Sequence, residues 1–156
     1  MLTLPRTLSL TPSQFAEVCA TNPAAAQVRA TKRSGPCCGL RSSRAAYDAS
    51  VVRLERWQAL SEAERDGFPP PCPDLVVELA SPSDGPQALR RKMAAYMANG
   101  ASLGWLLLPQ SRTVEVWKAG AAEIANSPLV LTDPAQLEAG PEFPGLVIDP
   151  RRIWED

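Results

Sequence analysis

Apolar and polar positions follow their most regular pattern between residues 75 and 118, where they predict a strand, a helix and a hairpin. The run Leu75–Leu79 is short, rich in β-branched residues and stopped by Ser81-Pro82-Ser83, which favours a buried strand over a helix. Ser83 or Asp84 is suited to cap the helix that follows, and Asn99-Gly100 is suited to end it. The apolar face of this helix repeats at helical spacing, at Leu89, Met93, Tyr96 and Met97.

The next segments predict further strands of the same sheet. Leu103–Leu108 is continuously apolar, which indicates a strand buried on both faces. Thr113–Lys118 alternates, with Glu115 on the face opposite Val114 and Val116, and it predicts the second arm of an antiparallel hairpin. Two more strands are predicted from the short apolar runs at Leu129–Leu131 and Leu146–Ile148.

Patterns in the first part of the chain are weaker. Ala45–Val52 predicts a short strand, and Arg53–Gly67 predicts two short helices, the second with a capping box formed by Ser61 and Glu64. Gln27–Arg44 contains five basic residues, no acid and no strand or helix periodicity. We therefore predict that residues 27–44 form a loop or a disordered segment within a single domain spanning residues 1–156.

Two acidic residues stand where the pattern calls for apolar ones, at Glu78 in the first predicted strand and at Asp48 in the strand before it. Because desolvating a carboxylate costs several kcal/mol, Glu78 must either face solvent or be held by a cation. Lys92 lies at the edge of the buried helix face, from which its ammonium can reach back toward the strand. Such violations of local preference are often found at functional sites.

The composition narrows the possible chemistry. With 16 basic and 17 acidic residues, the net charge gives no argument for a nucleic acid or a membrane partner. The absence of histidine excludes Ser-His-Asp and Cys-His catalysis and histidine metal sites. The four cysteines form no CxxC pair, and MLTLPRTLSL lacks the apolar core of a signal peptide. We therefore expect a cytoplasmic protein with reduced thiols and no membrane span.

Four separated segments resemble the Uma2 family of endonucleases, also called DUF820, within the PD-(D/E)xK superfamily. They are ERWQALSEAERDGFPPPCPDLVVELASPSD, LRRKMAAYMANGASLGWLLLP, RTVEVWKAG and EFPGLVIDPRRIW, and their order and spacing fit from about Asp48 to Trp154. The resemblance implies an α/β (α+β) fold with a restriction-endonuclease-like core. This core is a central mixed β-sheet flanked by helices, here with its N-terminal strands missing or altered.

The resemblance also implies a site and an activity. The superfamily's two strand acids, which bind a divalent cation that is usually Mg²⁺, correspond here to Asp48 and Glu78. A lysine near the second acid orients or activates the attacking water, and Lys92 matches a lysine that is common in the family. The implied activity is metal-dependent hydrolysis of phosphodiester bonds in DNA. Asp48, Glu78 and Lys92 would be the catalytic residues, and the two acids would be the metal ligands.

Three features depart from the family pattern. Ala80 stands two residues after the second acid, where the superfamily has its lysine, so Lys92 is the substitute. Tyr47 precedes Asp48 where the family usually has proline. The segment from Asn22 to Ala45 is shorter than in relatives and lacks their glycine-rich, acid-bearing stretch.

These departures leave three functions open. The chain could be an active Mg²⁺-dependent nuclease. It could also be a catalytically impaired remnant that binds nucleic acid through residues 29–44, or binds another protein. Finally, Glu78 could serve structure alone by pairing with Lys92 or an arginine. A homodimer is a further expectation, because missing N-terminal strands would leave a sheet edge unpaired.

Overall fold

A computed structural model of the chain describes residues 25–28, 49–66, 72–119 and 127–154. Its strands are β1 Ala25–Val28, β2 Ala49–Arg53, β3 Leu75–Leu79, β4 Leu103–Leu108, β5 Thr113–Lys118, β6 Leu129–Thr132, β7 Leu137–Glu138 and β8 Val147–Ile148. Its helices are α1 Leu54–Gln58, α2 Glu62–Asp66, α3 Pro86–Ala98 and α4 Arg151–Trp154. Short 3-10 turns occupy Pro109–Ser111 and Gly140–Glu142.

Strands β1 to β6 form one mixed sheet in chain order. β3 and β4 are parallel, and all other neighbours in the sheet are antiparallel. Two parallel neighbours require a crossover connection, and α3 provides it between β3 and β4. The predicted mixed sheet with flanking helices is therefore confirmed, and so is the β4–β5 hairpin.

The N-terminal side of the sheet differs from the expectation. Gln27 and Val28 were predicted to begin a loop, but they lie in β1, which pairs with β2. Because β1 pairs with one edge of β2 and β3 with the other, β2 is an interior strand and β1 is the terminal strand on this side of the described sheet. The homodimer stays a prediction. Residues 29–44 and Asp48 lie outside the described residues.

Helix α3 covers one face of the sheet. It begins with Pro86, whose fixed φ and missing N–H suit the first helical position, and the residue before it, Gly85, is its N-cap. The predicted cap at Ser83 or Asp84 is therefore wrong, whereas the predicted end is confirmed, since Asn99 is the C-cap and Gly100 adopts a φ of 101°. The helix buries an apolar stripe against β3, β4 and β5, made by Leu89, Met93 and Tyr96.

Gly104 of β4 sets how closely α3 approaches the sheet. A Cβ atom added at Gly104 would overlap the terminal methyl of Met93 and would lie 3.1 Å from that of Met97. The methyl of Met93 therefore occupies the space that a side chain on β4 would need, and Met93 itself is fully buried.

The opposite face of the sheet is covered by the β7–β8 hairpin and the turn that joins its strands. Phe143, Leu146 and Ile148 from this segment pack on Leu75, Val77 and Trp105 of the sheet, and Trp154 of α4 packs partly against the same cluster. The central strands β3, β4 and β5 are thus buried on both faces. A charged side chain on these strands consequently needs a partner inside the protein.

The predicted capping box of α2 is confirmed. Glu64 accepts hydrogen bonds from the Ser61 hydroxyl at 2.7 Å and from the Ser61 backbone N–H at 2.8 Å. These two hydrogen bonds lower the pKa of Glu64 from its ordinary value. None of the helices in the described parts of the chain is long and apolar enough to cross a membrane.

Candidate active site

Glu78 lies near the end of β3 on the face that α3 covers. It is the cross-strand neighbour of Leu106 on β4, which belongs to the cluster beneath α3. Only 2% of the residue is exposed, so the first alternative from the sequence, a carboxylate facing solvent, is wrong. A carboxylate at this depth needs charged or polar partners.

Two side chains of α3 provide these partners. The ammonium of Lys92 donates to Glu78 Oε2 at 2.7 Å, and the hydroxyl of Tyr96 donates to Glu78 Oε1 at 3.1 Å. The predicted proximity of Lys92 to the strand acid is therefore confirmed. Tyr96 was predicted only as part of the apolar face, and the structure adds the role of its hydroxyl. Lys92 keeps 25% of its side chain exposed, so the ion pair opens toward solvent at the lysine.

The positively charged partner of Glu78 comes from α3 because residue 80, on β3's own chain segment, is an alanine. Ala80 follows Glu78 by two residues and its side chain packs partly against the apolar cluster beneath α3. Its backbone N–H donates to Leu107 O at 2.9 Å and extends the β3–β4 ladder by one residue. An alanine supplies no charge at this position, and Lys92 brings an ammonium to Glu78 from above the sheet instead.

A second acid, Asp84, lies close to this pair in the turn between β3 and α3. Its carboxylate accepts the Ser81 backbone N–H at 2.8 Å, and its own N–H donates to Ser81 O at 3.0 Å. Hydrogen bonds from Ser81 lower the pKa of Asp84, and the positive charge of Lys92 lowers it further. Lys92 thus acts on two carboxylates, one buried and one exposed.

The other predicted site residue, Asp48, lies outside the described residues, but its neighbours in β2 are placed. Ala49 pairs with Val77, Ser50 with Val76 and Val51 with Leu75 in an antiparallel register. In residues 49–66, 72–119 and 127–154, no group of three or more acids or cysteines is arranged to hold a metal ion.

Two further buried acids were not predicted. Asp74, just before β3, is 2% exposed, accepts the backbone N–H of Arg53 and forms an ion pair with the guanidinium of Arg56. Glu115 of β5 is 1% exposed and pairs with Arg90 of α3. The alternation of β5 separated Glu115 from Val114 and Val116 but did not show that its face is covered. The available signal was Trp117, a large aromatic residue on the same face, which packs in the cluster beneath α3.

At Glu78 the arrangement combines a carboxylate, an ammonium and a phenol hydroxyl at the end of two parallel strands. In sheets with parallel strands and helical crossovers, the carboxyl ends of the strands are a common place for ligand sites. The carboxylate offers oxygen ligands to a hard cation, and the ammonium can stabilise negative charge on a substrate.

Comparison with known proteins finds a matching family model and similar solved structures. The family model described as "Uma2: Putative restriction endonuclease" matches residues 14–151. Among solved structures, the chain resembles "a putative nuclease belonging to DUF820 from Anabaena variabilis ATCC 29413" with a TM-score of 0.70 and 19% sequence identity. This similarity covers 96% of this chain and 79% of that one, and at this identity it establishes the fold. No match was found among curated proteins.

Proposed function

The chain belongs to the Uma2 family, and on this premise we propose that it is a metal-dependent endonuclease that hydrolyses phosphodiester bonds in DNA. The observation that carries the proposal is the buried Glu78 carboxylate at the end of β3, held by the Lys92 ammonium 2.7 Å away. This pair combines a buried oxygen ligand for a cation with a partly exposed positive charge for a phosphate.

Asp48 is the second acid of the proposal. Because Ala49 pairs with Val77 in the antiparallel β2–β3 ladder, one further residue pair in the same register would bring Asp48 beside Glu78. Directly opposed side chains of paired strands share one face of the sheet. We propose that the ladder continues in this way and that the two carboxylates share a divalent cation, which offsets their mutual repulsion.

The residues around Glu78 are compatible with a cation such as Mg²⁺. The carboxylate of Glu78 supplies oxygen ligands, which Mg²⁺ prefers, and the hydrogen bonds from Lys92 and Tyr96 use two of its about four lone-pair positions. When bound, the cation would lower the pKa of a coordinated water and neutralise charge on the phosphoryl group.

In this proposal each side chain has a separate task. Glu78 and Asp48 hold the cation, and the Tyr96 hydroxyl fixes the orientation of the Glu78 carboxylate through its 3.1 Å hydrogen bond. Lys92 presents its ammonium to the scissile phosphate, where negative charge increases as the attacking water adds. The exposed quarter of the Lys92 side chain is where a phosphate would approach.

The test is nicking of supercoiled plasmid DNA in Mg²⁺, with Glu78→Gln as the variant and Glu138→Gln as the matched control. Gln keeps the size of Glu78 and removes its charge, and Glu138 is exposed on β7. We expect the wild type and the control to nick equally, and Glu78→Gln to nick at least about 100-fold more slowly.

Calorimetric titration of Mg²⁺ into the wild type and Asp48→Ala provides a readout that is independent of turnover, and we expect the variant to bind more weakly. Equal nicking by Glu78→Gln and the wild type would refute the assignment of the site. DNA retention without any nicking by the wild type would instead favour a binding module.

A further inference from the structure

Glu115 and Glu78 lie in one row across the sheet. Glu78 pairs with Leu106 of β4, and Leu106 pairs with Glu115 of β5. Both carboxylates are therefore on the face that α3 covers, two strand spacings apart, which is about 10 Å between their Cα atoms. Each has a cation from α3, since Lys92 contacts Glu78 on one flank of the helix and Arg90 contacts Glu115 on the other.

One edge of the Arg90 guanidinium contacts Glu115, and the side chain remains accessible to solvent. Its Nε and one Nη donate to the same oxygen, Glu115 Oε1, at 2.8 and 2.5 Å. A guanidinium has five N–H donors in a rigid plane, so this contact leaves three of them for other partners. The side chain is 41% exposed, and no other partner of the guanidinium is found in the described part of the chain. The hydrogen bond with Glu115 also raises the pKa of Arg90, which keeps it charged.

Stability does not account for this pair. Glu115 is 1% exposed and its Oε2 has no hydrogen-bond partner among the described residues, although an unsatisfied buried acceptor is costly. Replacing a buried ion pair by apolar side chains is often neutral or stabilising, so a leucine on β5 would serve the core at least as well. The carboxylate does, however, fix the plane and position of an exposed guanidinium.

We propose that Arg90 is a second phosphate contact for the polynucleotide, and that Glu115 is the residue that positions it. This inference rests on the proposed function, because the phosphate belongs to the same strand that reaches Glu78 and Lys92. A guanidinium fork matches the oxygens of a phosphodiester in a bidentate way, and a fork already held in place loses less side-chain entropy when it binds. The two cations on the flanks of α3 would then contact different phosphates of one substrate.

The experiment measures binding of a short fluorescent DNA duplex by anisotropy over a range of salt concentrations, with EDTA present so that no cleavage occurs. The variants are Arg90→Gln and Glu115→Leu. Lys118→Gln is the matched control, because it removes one positive charge from an exposed side chain at the end of β5, on the sheet face opposite to that of Glu115.

We expect Arg90→Gln to weaken binding by about 3- to 10-fold and to reduce the slope of log affinity against log salt by about 1. Lys118→Gln should leave the slope unchanged. Glu115→Leu should weaken DNA binding while the midpoint of thermal unfolding stays the same or rises, whereas a purely structural ion pair would predict a lower midpoint and normal binding.

Arg90→Gln binding like Lys118→Gln, or Glu115→Leu binding like the wild type, would overturn the inference. If the wild type nicks plasmid DNA but Arg90→Gln and Glu115→Leu bind DNA normally, only the role of Arg90 fails and the proposed function stands. If the wild type neither binds nor nicks DNA, the proposed function and this inference fail together.

Discussion

Strand β3 has a buried acid at each end, and the two ends differ in what holds the acid. At the start, Asp74 accepts the backbone N–H of Arg53 at 2.8 Å and the guanidinium of Arg56 at 2.6 Å. Its own backbone donates to Val51 O and accepts from Ser102 and Leu103. Near the other end, Glu78 is held by two side chains of α3, an ammonium and a phenol hydroxyl.

The comparison shows that burial of an acid does not by itself identify a functional site. Asp74 joins the β2–α1 junction to β3 and β4 through fixed backbone groups and two arginines, Arg53 and Arg56, so its geometry leaves little room for a ligand. Glu78 is held by side chains of α3, and one of them, Lys92, is partly exposed. A site that must bind a cation and a phosphate needs an arrangement like that of Glu78, in which one of the partners is accessible to solvent.

The largest effect on stability is expected at the start of β3. Asp74→Ala removes the acceptor for one backbone N–H and for two arginine side chains, each about a third exposed. Because the arginines can partly return to solvent, we expect a loss of about 2–4 kcal/mol in the free energy of unfolding. Urea denaturation measures this loss, with Glu138→Ala on exposed β7 as a control expected to change it by less than about 0.5 kcal/mol. A loss no larger than that of the control would remove the distinction between the two ends.

Near the other end of β3, substitutions of Lys92 and of Glu78 should lower the free energy of unfolding by different amounts. Lys92→Met leaves the Glu78 carboxylate buried without its cation, and we expect it to lower the free energy of unfolding by about 2–3 kcal/mol. Glu78→Gln leaves a lysine that is already partly exposed and keeps an acceptor for Tyr96, so its cost should stay within about 1 kcal/mol. Both values come from urea denaturation. A Glu78→Gln protein less stable than Lys92→Met would mean that Glu78 is mainly structural.

The smallest effect concerns the reach of the Lys92 charge. The pKa of Asp84 lies below its ordinary value of 3.8 because of a hydrogen bond with the Ser81 side chain, then because of the one from the Ser81 backbone and, to a lesser extent, because of Lys92. Ser81→Ala should therefore raise the pKa of Asp84 more than Lys92→Met does. An NMR titration of the side-chain carboxyl carbon measures both changes. No change in Lys92→Met would show that the ammonium is directed at Glu78 alone.

The lowered pKa of Asp84 also determines the direction in which this residue makes stability depend on pH. A depressed folded-state pKa means that Asp84 stabilises the protein above its unfolded-state pKa, and that this contribution disappears as the pH falls through the folded-state pKa. Ser81→Ala should therefore lose less stability on acidification than the wild type does. Because Asp84 is exposed, solvent screens the interaction and the effect is small.

The sequence predicted the centre of the fold well because the signals there are local and agree with each other. The apolar runs Leu75–Leu79 and Leu103–Leu108 coincide with β3 and β4, and the alternating run Thr113–Lys118 coincides with β5. The position of Lys92 at the edge of the apolar helix face also predicted its contact with Glu78 on β3. Helix geometry alone places Lys92 at the boundary of the buried stripe, close to the strand that precedes the helix.

What the sequence did not predict depends on tertiary packing. Asp74 follows a proline and precedes a strand, where an acid normally belongs to an exposed turn. Its burial follows from Arg53 and Arg56, which a neighbouring strand and helix bring to it. Asp84 was predicted as a helix cap but closes the preceding turn, since Gly85 in an extended conformation places the helix start one residue later.

The lack of a side chain at Gly104 has a consequence for both ion pairs of α3. The terminal methyl of Met93 fills that gap, so α3 packs closely on β4, the strand between the two that carry Glu78 and Glu115. Lys92 and Arg90 extend from opposite sides of this helix, so its height above the sheet limits how far each cation can reach. A side chain at position 104 is therefore expected to displace α3 and to weaken both ion pairs, although Gly104 contacts neither.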